Sequence, residues 1–338
     1  MPLPKPRAEE SNNQFISRCM IDDVMTSEYP QRTQRYAVCN NLLSQKTLET
    51  KQAQRNISKE FVKQIKIAQK KNYPIVYQYY IKNYTRAMEY YKIEDTATNQ
   101  NFNTLFKEDE MVEMYKQMYR QTGLRFFMWY RKHFKLFVEK LSEFEIQRLL
   151  DKIERGQKLT RREMQNLEST VLNGMDRYAT QRSNYLATAK EVTSISGVAR
   201  DTLKKVIKEL TANEEFMSMG LEPRVKEIMK RLKFKSRWMA RRVVQTETTA
   251  SANNGISLSA EDIFGKDNLS KQWIAGGANI RDTHATASAK YQKTPIASDK
   301  PYMVGSSLLM FPSDTSLGAL AKEVVNCKCV SIPFVKRD

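Results

Sequence analysis

Ser236-Arg237-Trp238-Met239-Ala240-Arg241-Arg242-Val243-Val244-Gln245-Thr246-Glu247-Thr248-Thr249-Ala250-Ser251-Ala252-Asn253-Asn254-Gly255 is where the character of the sequence turns. Trp238, Met239, Val243, Val244 and Ala250 recur at helical spacing, so a long helix is expected to start at Ser236 and to end near Gly255 or Glu261. Beyond it Gly, Pro, Ser and Thr become frequent and the helical period is lost, which suits short strands and loops from 265 to 338. The residues before it read as helix. With only 11 Gly and 10 Pro in 338 residues, composition also favours helix over sheet. The expected fold class is a mainly α N-terminal region followed by a small α+β C-terminal domain.

Working upstream, residues 1–43 read as an extended, Pro-rich arm and a cysteine-bearing helical hairpin. Phe15, Ile16, Cys19, Met20 and Val24 share one helix face, and Tyr36, Val38, Cys39 and Leu42 share another, with Pro30 suited to a first helical position. Residues 44–190 read as α-helical. Their aromatic stripe from Phe61 to Tyr91 is interleaved with lysines, yet such a stripe is more often a packing face than a platform for bases. A polar linker is expected at 96–103, helices near 108–138 and 142–155, and a further helical pattern from Leu159 to Tyr185. Residues 191–338 form the last unit: helices at 196–210 and 223–233 and the Ser236 helix fill 191–262, and a β-containing part fills 263–338.

The formal net charge of +18 points to a polyanionic partner, because phosphate contacts release condensed counterions. Lys230, Arg231, Lys233, Lys235, Arg237, Arg241 and Arg242 concentrate that charge and are the candidate DNA-binding residues; the plainer alternative is a solvated turn and helix start. The start of the chain lacks the apolar core of a signal peptide and no run of eighteen apolar residues occurs, so a soluble protein made in the cytoplasm is expected. Four cysteines are too few for a disulfide scaffold and are expected to be reduced. No glycine-rich phosphate loop supports nucleotide-driven motor chemistry.

The C-terminal part gathers chemistry-bearing residues: Lys271, Trp273, Arg281, His284, Pro312, Asp314, Asn326, Cys327 and Cys329. Three readings compete. Thiolates and an imidazole suit zinc, so His284, Cys327 and Cys329 are candidate Zn2+ ligands, with Asp282 or Asp314 as a fourth. A hydrolase would use Cys327 or Cys329 as nucleophile with His284 as base, or, as a nuclease, His284 with Arg281 and Glu247. In the third reading there is no cofactor and no catalysis: Trp273 anchors a small core, Arg281 pairs with Asp314 or Glu247, His284 bonds a loop, and both cysteines point inward from a late strand.

Across residues 196–332 the order and spacing of Ser236-Arg237, Arg241-Arg242, Thr246-Glu247, Asn254-Gly255, Lys271-x-Trp273, Arg281-x-x-His284, Phe311-Pro312-x-Asp314 and Asn326-Cys327-x-Cys329 resemble the phage Mu F-like head morphogenesis family. Two departures stand out: Ala285-Thr286-Ala287-Ser288-Ala289-Lys290 replaces a glycine-containing turn, and Val324-Val325 replaces a His-Pro pair. The resemblance implies a minor capsid protein of a tailed bacteriophage, carried in the capsid interior near the portal. Its expected partners are the portal protein, the major capsid or other head proteins and packaged double-stranded DNA, with no membrane. It would assist head assembly, packaging or ejection, with the C-terminal residues serving as a structural signature rather than a catalytic site; the hydrolase is the alternative.

Overall fold

The computed structural model describes residues 3–7, 10–48, 51–94, 106–134, 173–181 and 195–336, with positions 148, 152, 157 and 160. The expected 96–103 linker, the 142–155 helix and most of the 159–185 pattern lie outside the described residues. The fold class is the expected one: a long N-terminal helical region and a small C-terminal region with antiparallel strands in two small sheets.

The chain opens with α1 (Asn12–Ile21), α2 (Asp23–Glu28) and α3 (Arg32–Leu48). Ser11 caps α1 through a reciprocal capping box with Gln14, and Asp22 caps α2 through the Val24 and Met25 amides. Pro30 lies two residues before α3 rather than in its first turn. Packing α1 against α3 buries Cys19 and Cys39 and joins them in a disulfide with Cα atoms 5.9 Å apart. This corrects the expectation of four reduced thiols. The count of cysteines argued against a scaffold, but the facing apolar stripes bring this one pair within bonding reach.

Two 44-residue helices, α4 (Lys51–Glu94) and α8 (Leu221–Phe264), cross α5 (Glu108–His133) and form the body of the molecule. The α6 (Ile195–Thr211) and α7 (Glu214–Ser218) helices complete it. Tyr79, Tyr80, Tyr84 and Tyr91 are buried in this helical core, so the aromatic stripe is a packing face. The expected break between 233 and Ser236 does not occur. Nothing between Arg224 and Asn254 is Gly or Pro, and the Ser236 hydroxyl bonds back to the Leu232 carbonyl at 2.6 Å, satisfied within the helix instead of capping a new one.

After a 3-10 turn at Lys266–Asn268 come β1 (Leu269–Ile274), α9 (Asp282–Lys293), β2 (Ile296–Ala297), β3 (Tyr302–Val304), β4 (Ser307–Leu309), α10 (Ala321–Val324) and β5 (Val330–Val335). Sheet order is β2-β1-β5, with Trp273 opposite Ser331, and β3 pairs with β4 in a separate ribbon. The α9 helix was not expected from the Gly/Ser/Thr-rich composition; its three alanines, Ala285, Ala287 and Ala289, favour helix, and His284 lies in its first turn. The β5 strand docks on the helices: Val335 N–H donates to Asn41 Oδ1, Tyr130 Oη donates to the Pro333 carbonyl, and Phe15, Cys19, Phe126, Ile256 and Phe334 share one core.

Candidate functional site

A polar stripe on α8 builds the C-terminal site from beneath. Thr249 Oγ1 donates to the Cys327 carbonyl at 2.8 Å, and Asn253 Nδ2 donates to the Cys329 carbonyl at 3.2 Å. Asn253 Oδ1 accepts the Ser331 amide, and Thr246 Oγ1 accepts the Asn326 amide. Asn326 adopts a left-handed backbone (φ 57°), which turns the chain sharply into the two cysteines. From above, Gly276 comes so close that a Cβ there would lie 2.3 Å from the Lys328 carbonyl oxygen. Cys327 and Cys329 therefore sit in a tight loop just before β5, not in the strand, pinned at both backbone carbonyls.

His284 meets this loop from α9. Its Nδ1 lies 3.3 Å from Cys329 Sγ and 3.6 Å from Cys327 Sγ, and the three ligand atoms fall within 4.8 Å of one another. His284, Cys327 and Cys329 form a group that can hold a metal ion. The ring's other nitrogen is 3.2 Å from Glu323 Oε2, a contact too bent for a hydrogen bond, while Thr283 Oγ1 holds the same carboxylate oxygen at 2.8 Å. All three side chains are buried but line a cavity of about 310 Å³ with Gln245, Arg281 and Lys328 at its wall.

Electrostatics separate the two cysteines. Burial opposes ionisation of Cys327, yet hydrogen bonding from Cys329 and His284, together with the imidazole charge, holds its thiol well below the usual range. The Cys327 contact, then burial, pushes Cys329 well above it. For His284, burial is outweighed by the Cys327 contact and the pKa rises.

The other signature residues are fasteners. Asp314, fully buried, accepts Tyr178 Oη at 2.8 Å, the Met310 and Ser316 amides at 3.0 Å each and the Ser316 hydroxyl at 2.7 Å. It is not in the metal-competent group, and neither is the exposed Asp282, so neither expected fourth ligand is present there. Arg281 donates to the Val325 carbonyl instead of pairing with Asp314 or Glu247. Glu247 accepts Tyr119 Oη at 3.0 Å and does not line the cavity, so the nuclease constellation of His284, Arg281 and Glu247 is not assembled. Lys271 donates to the Met310 carbonyl at 2.7 Å and lies over the Tyr302 ring; burial drives its pKa down to about 8. Trp273 is fully buried against His284 and Tyr302 as the expected anchor, and Pro312 is buried in the loop that Asp314 closes.

Sequence reading missed Glu323, Gly276, Thr249, Asn253 and Tyr178. A signal existed for two of them: Thr249 and Asn253 stand one helical turn apart in a helix too polar there to be an ordinary packing face.

The seven cations lie on α8, where Lys230, Arg231, Lys233, Arg237, Arg241 and Arg242 are exposed and Lys235 is half-buried. Glu227 reaches Lys230 and Arg231 at 3.5 and 3.4 Å. Two large aromatics stand among them: Phe234 is 74% exposed and Trp238 59%, with the Arg242 guanidinium 4.6 Å over the Trp238 ring. Helical spacing puts Lys230, Phe234, Arg237, Trp238 and Arg241 on one face. Comparison with protein-family models, curated proteins and solved structures finds no match for this chain.

Proposed function

We propose that this chain is a minor capsid protein of a tailed bacteriophage, held inside the head near the portal, that assists head assembly, DNA packaging or ejection. It would contact the portal protein, other head proteins and, without regard to sequence, packaged double-stranded DNA. The observation that carries the DNA part is the exposed cationic face of α8. Six of its seven candidate cations are exposed along a single helix, an arrangement suited to phosphate contacts. The placement in a phage head rests on the resemblance of residues 196–332. Binding to unrelated duplexes of equal length should be equally tight and should weaken steeply with salt. Discrimination between the duplexes, or no binding at low salt, would sink the DNA reading.

We further propose, from the metal-competent group, that the protein binds Zn2+, which prefers thiolate and imidazole donors. The ion would tie α9 to the loop before β5, a structural task in keeping with a protein that catalyses nothing. Metal analysis of protein purified without added zinc should find one zinc per chain, and Cys329→Ser should lower that stoichiometry.

A further inference from the structure

We propose that the zinc held by His284, Cys327 and Cys329 keeps an exchangeable fourth position that faces the adjoining cavity and accepts a small anionic donor. The proposal rests on the zinc reading above and extends it from a closed clasp to an open coordination site.

The two nitrogen–sulfur edges of the group match those of a tetrahedral ion, and all three donor atoms lie within 4.8 Å of one another. With Zn–S near 2.3 Å and Zn–N near 2.0 to 2.1 Å, the edge between nitrogen and sulfur in a tetrahedron is about 3.6 Å. The distances from His284 Nδ1 are 3.3 Å to Cys329 Sγ and 3.6 Å to Cys327 Sγ. A single ring nitrogen offers one proton or one lone pair, so it cannot serve both sulfurs well by hydrogen bonding; a cation between them serves all three atoms at once.

The surroundings are those of metal ligands. The Cys329 amide N–H points at Cys327 Sγ at 3.4 Å, a donor that steadies a thiolate. The Glu323 carboxylate, itself held by Thr283, stands 3.2 Å from the ring nitrogen that faces away from the sulfurs, where its charge favours a cation on the other side of the imidazole without a hydrogen bond to the ring. The buried Trp273 indole nitrogen has no hydrogen-bond partner among the described residues. Thr249 and Asn253 fix the loop carbonyls, so the ligands are preorganised by α8.

The fourth corner has no protein donor among the described residues. The metal-competent group contains three members, Glu323 lies on the far side of the imidazole, and Asp314 is engaged by four hydrogen bonds elsewhere. All three ligands line the 310 Å³ cavity, which has room for a water and a small ligand. Two thiolates neutralise the ion and Glu323 offsets one of the two cations Arg281 and Lys328 at the cavity wall, which leaves an excess of positive charge that favours an anionic donor such as azide or a carboxylate.

Cobalt(II) exchanged for zinc in the full-length protein tests this directly. A thiolate-to-cobalt charge-transfer band and intense visible ligand-field bands are expected, and azide or acetate should shift the visible bands saturably while leaving the charge-transfer band in place. Lys328→Gln, an exposed cation that is not a ligand, should weaken azide binding about threefold without changing cobalt stoichiometry. Absence of any thiolate-to-cobalt band would overturn the zinc reading and this inference with it. A normal band with visible bands indifferent to both anions would overturn the open position alone and leave a closed clasp.

Discussion

Gly255 of α8 rests against Gly123 of α5 so closely that a Cβ on Gly255 would fall 2.2 Å from the Gly123 carbonyl oxygen. The atom in the way is backbone, which cannot swing aside, so the two helices must separate to admit a methyl group. Gly255→Ala is expected to destabilise the protein by about 1–3 kcal/mol through overpacking at this crossing. Gly220→Ala, whose new Cβ would meet only the Pro223 ring at 3.8 Å, should leave the urea midpoint unchanged. Equal midpoints for the two variants would show that the crossing tolerates separation.

The same glycine shows how legible the sequence was. Asn254-Gly255 was readable as part of a recurring pattern and as a plausible helix end, but not as a crossing point, because the residue it touches lies 132 positions earlier. Period and composition suffice for the helical body and the later small sheets, since both express local preference and apolar spacing. The continuity of α8 through Ser236 was misjudged because a serine favours a cap or a back-bonded helical position nearly equally until its neighbours are known. Of the candidate site, His284, Cys327 and Cys329 were legible by residue type. Glu323, which faces His284 from α10, is buried, but nothing in the sequence separates it from the exposed glutamates.

The disulfide between Cys19 and Cys39 closes a loop over a sequence separation of 20 residues. In the chain-entropy description a loop of this size contributes about 3 kcal/mol by restricting the unfolded chain. The double variant Cys19→Ser, Cys39→Ser should lose about that much in urea unfolding, and mild reductant should shift the native protein by the same amount while leaving the variant unaffected. A reductant effect that persists in the variant would place the lost stability elsewhere.

Lys271 imposes a pH dependence whose sign follows from its burial. Its pKa is about 8 in the fold against 10.5 in the unfolded chain, so between those values the unfolded state binds more protons and stability rises with pH. The contribution is fully present above the unfolded value and lost as pH falls toward 8. At 4% exposure, little solvent screening intervenes, and the full span corresponds to about 3 kcal/mol. Lys271→Met should remove this rise. The difference between native and variant stability, followed by denaturant unfolding from pH 8 to 10, isolates it from buried tyrosines that titrate in the opposite sense; a pH-independent difference would contradict it.

Glu323 should matter to metal binding without touching the metal. Replacing it by Gln keeps the shape while removing the charge behind the imidazole, and should weaken metal affinity by up to about 10-fold, the low end for an outer partner, since no hydrogen bond to the ring is lost. Competition with a chromophoric chelator measures this. Thermal stability of the metal-free protein should change far less, which separates a positioning role from a general structural one.

Trp238 provides a reporter for the cationic face. Of the three tryptophans, Trp273 is fully buried and Trp129 packs against Phe61 and Phe126, whereas Trp238 is 59% exposed beneath the Arg242 guanidinium. If DNA phosphates draw Arg242 away, or a base or sugar meets the ring, the emission of Trp238 should change on titration with duplex, and Trp238→Phe should abolish that change while leaving affinity within about twofold. Arg241→Gln should weaken binding to all duplexes alike and reduce the slope of log affinity against log salt by about 1, as expected for one lost phosphate contact. An unaltered slope would mean that the duplex approaches another surface, because Arg241 stands at the centre of the face that Lys230, Phe234 and Arg237 define.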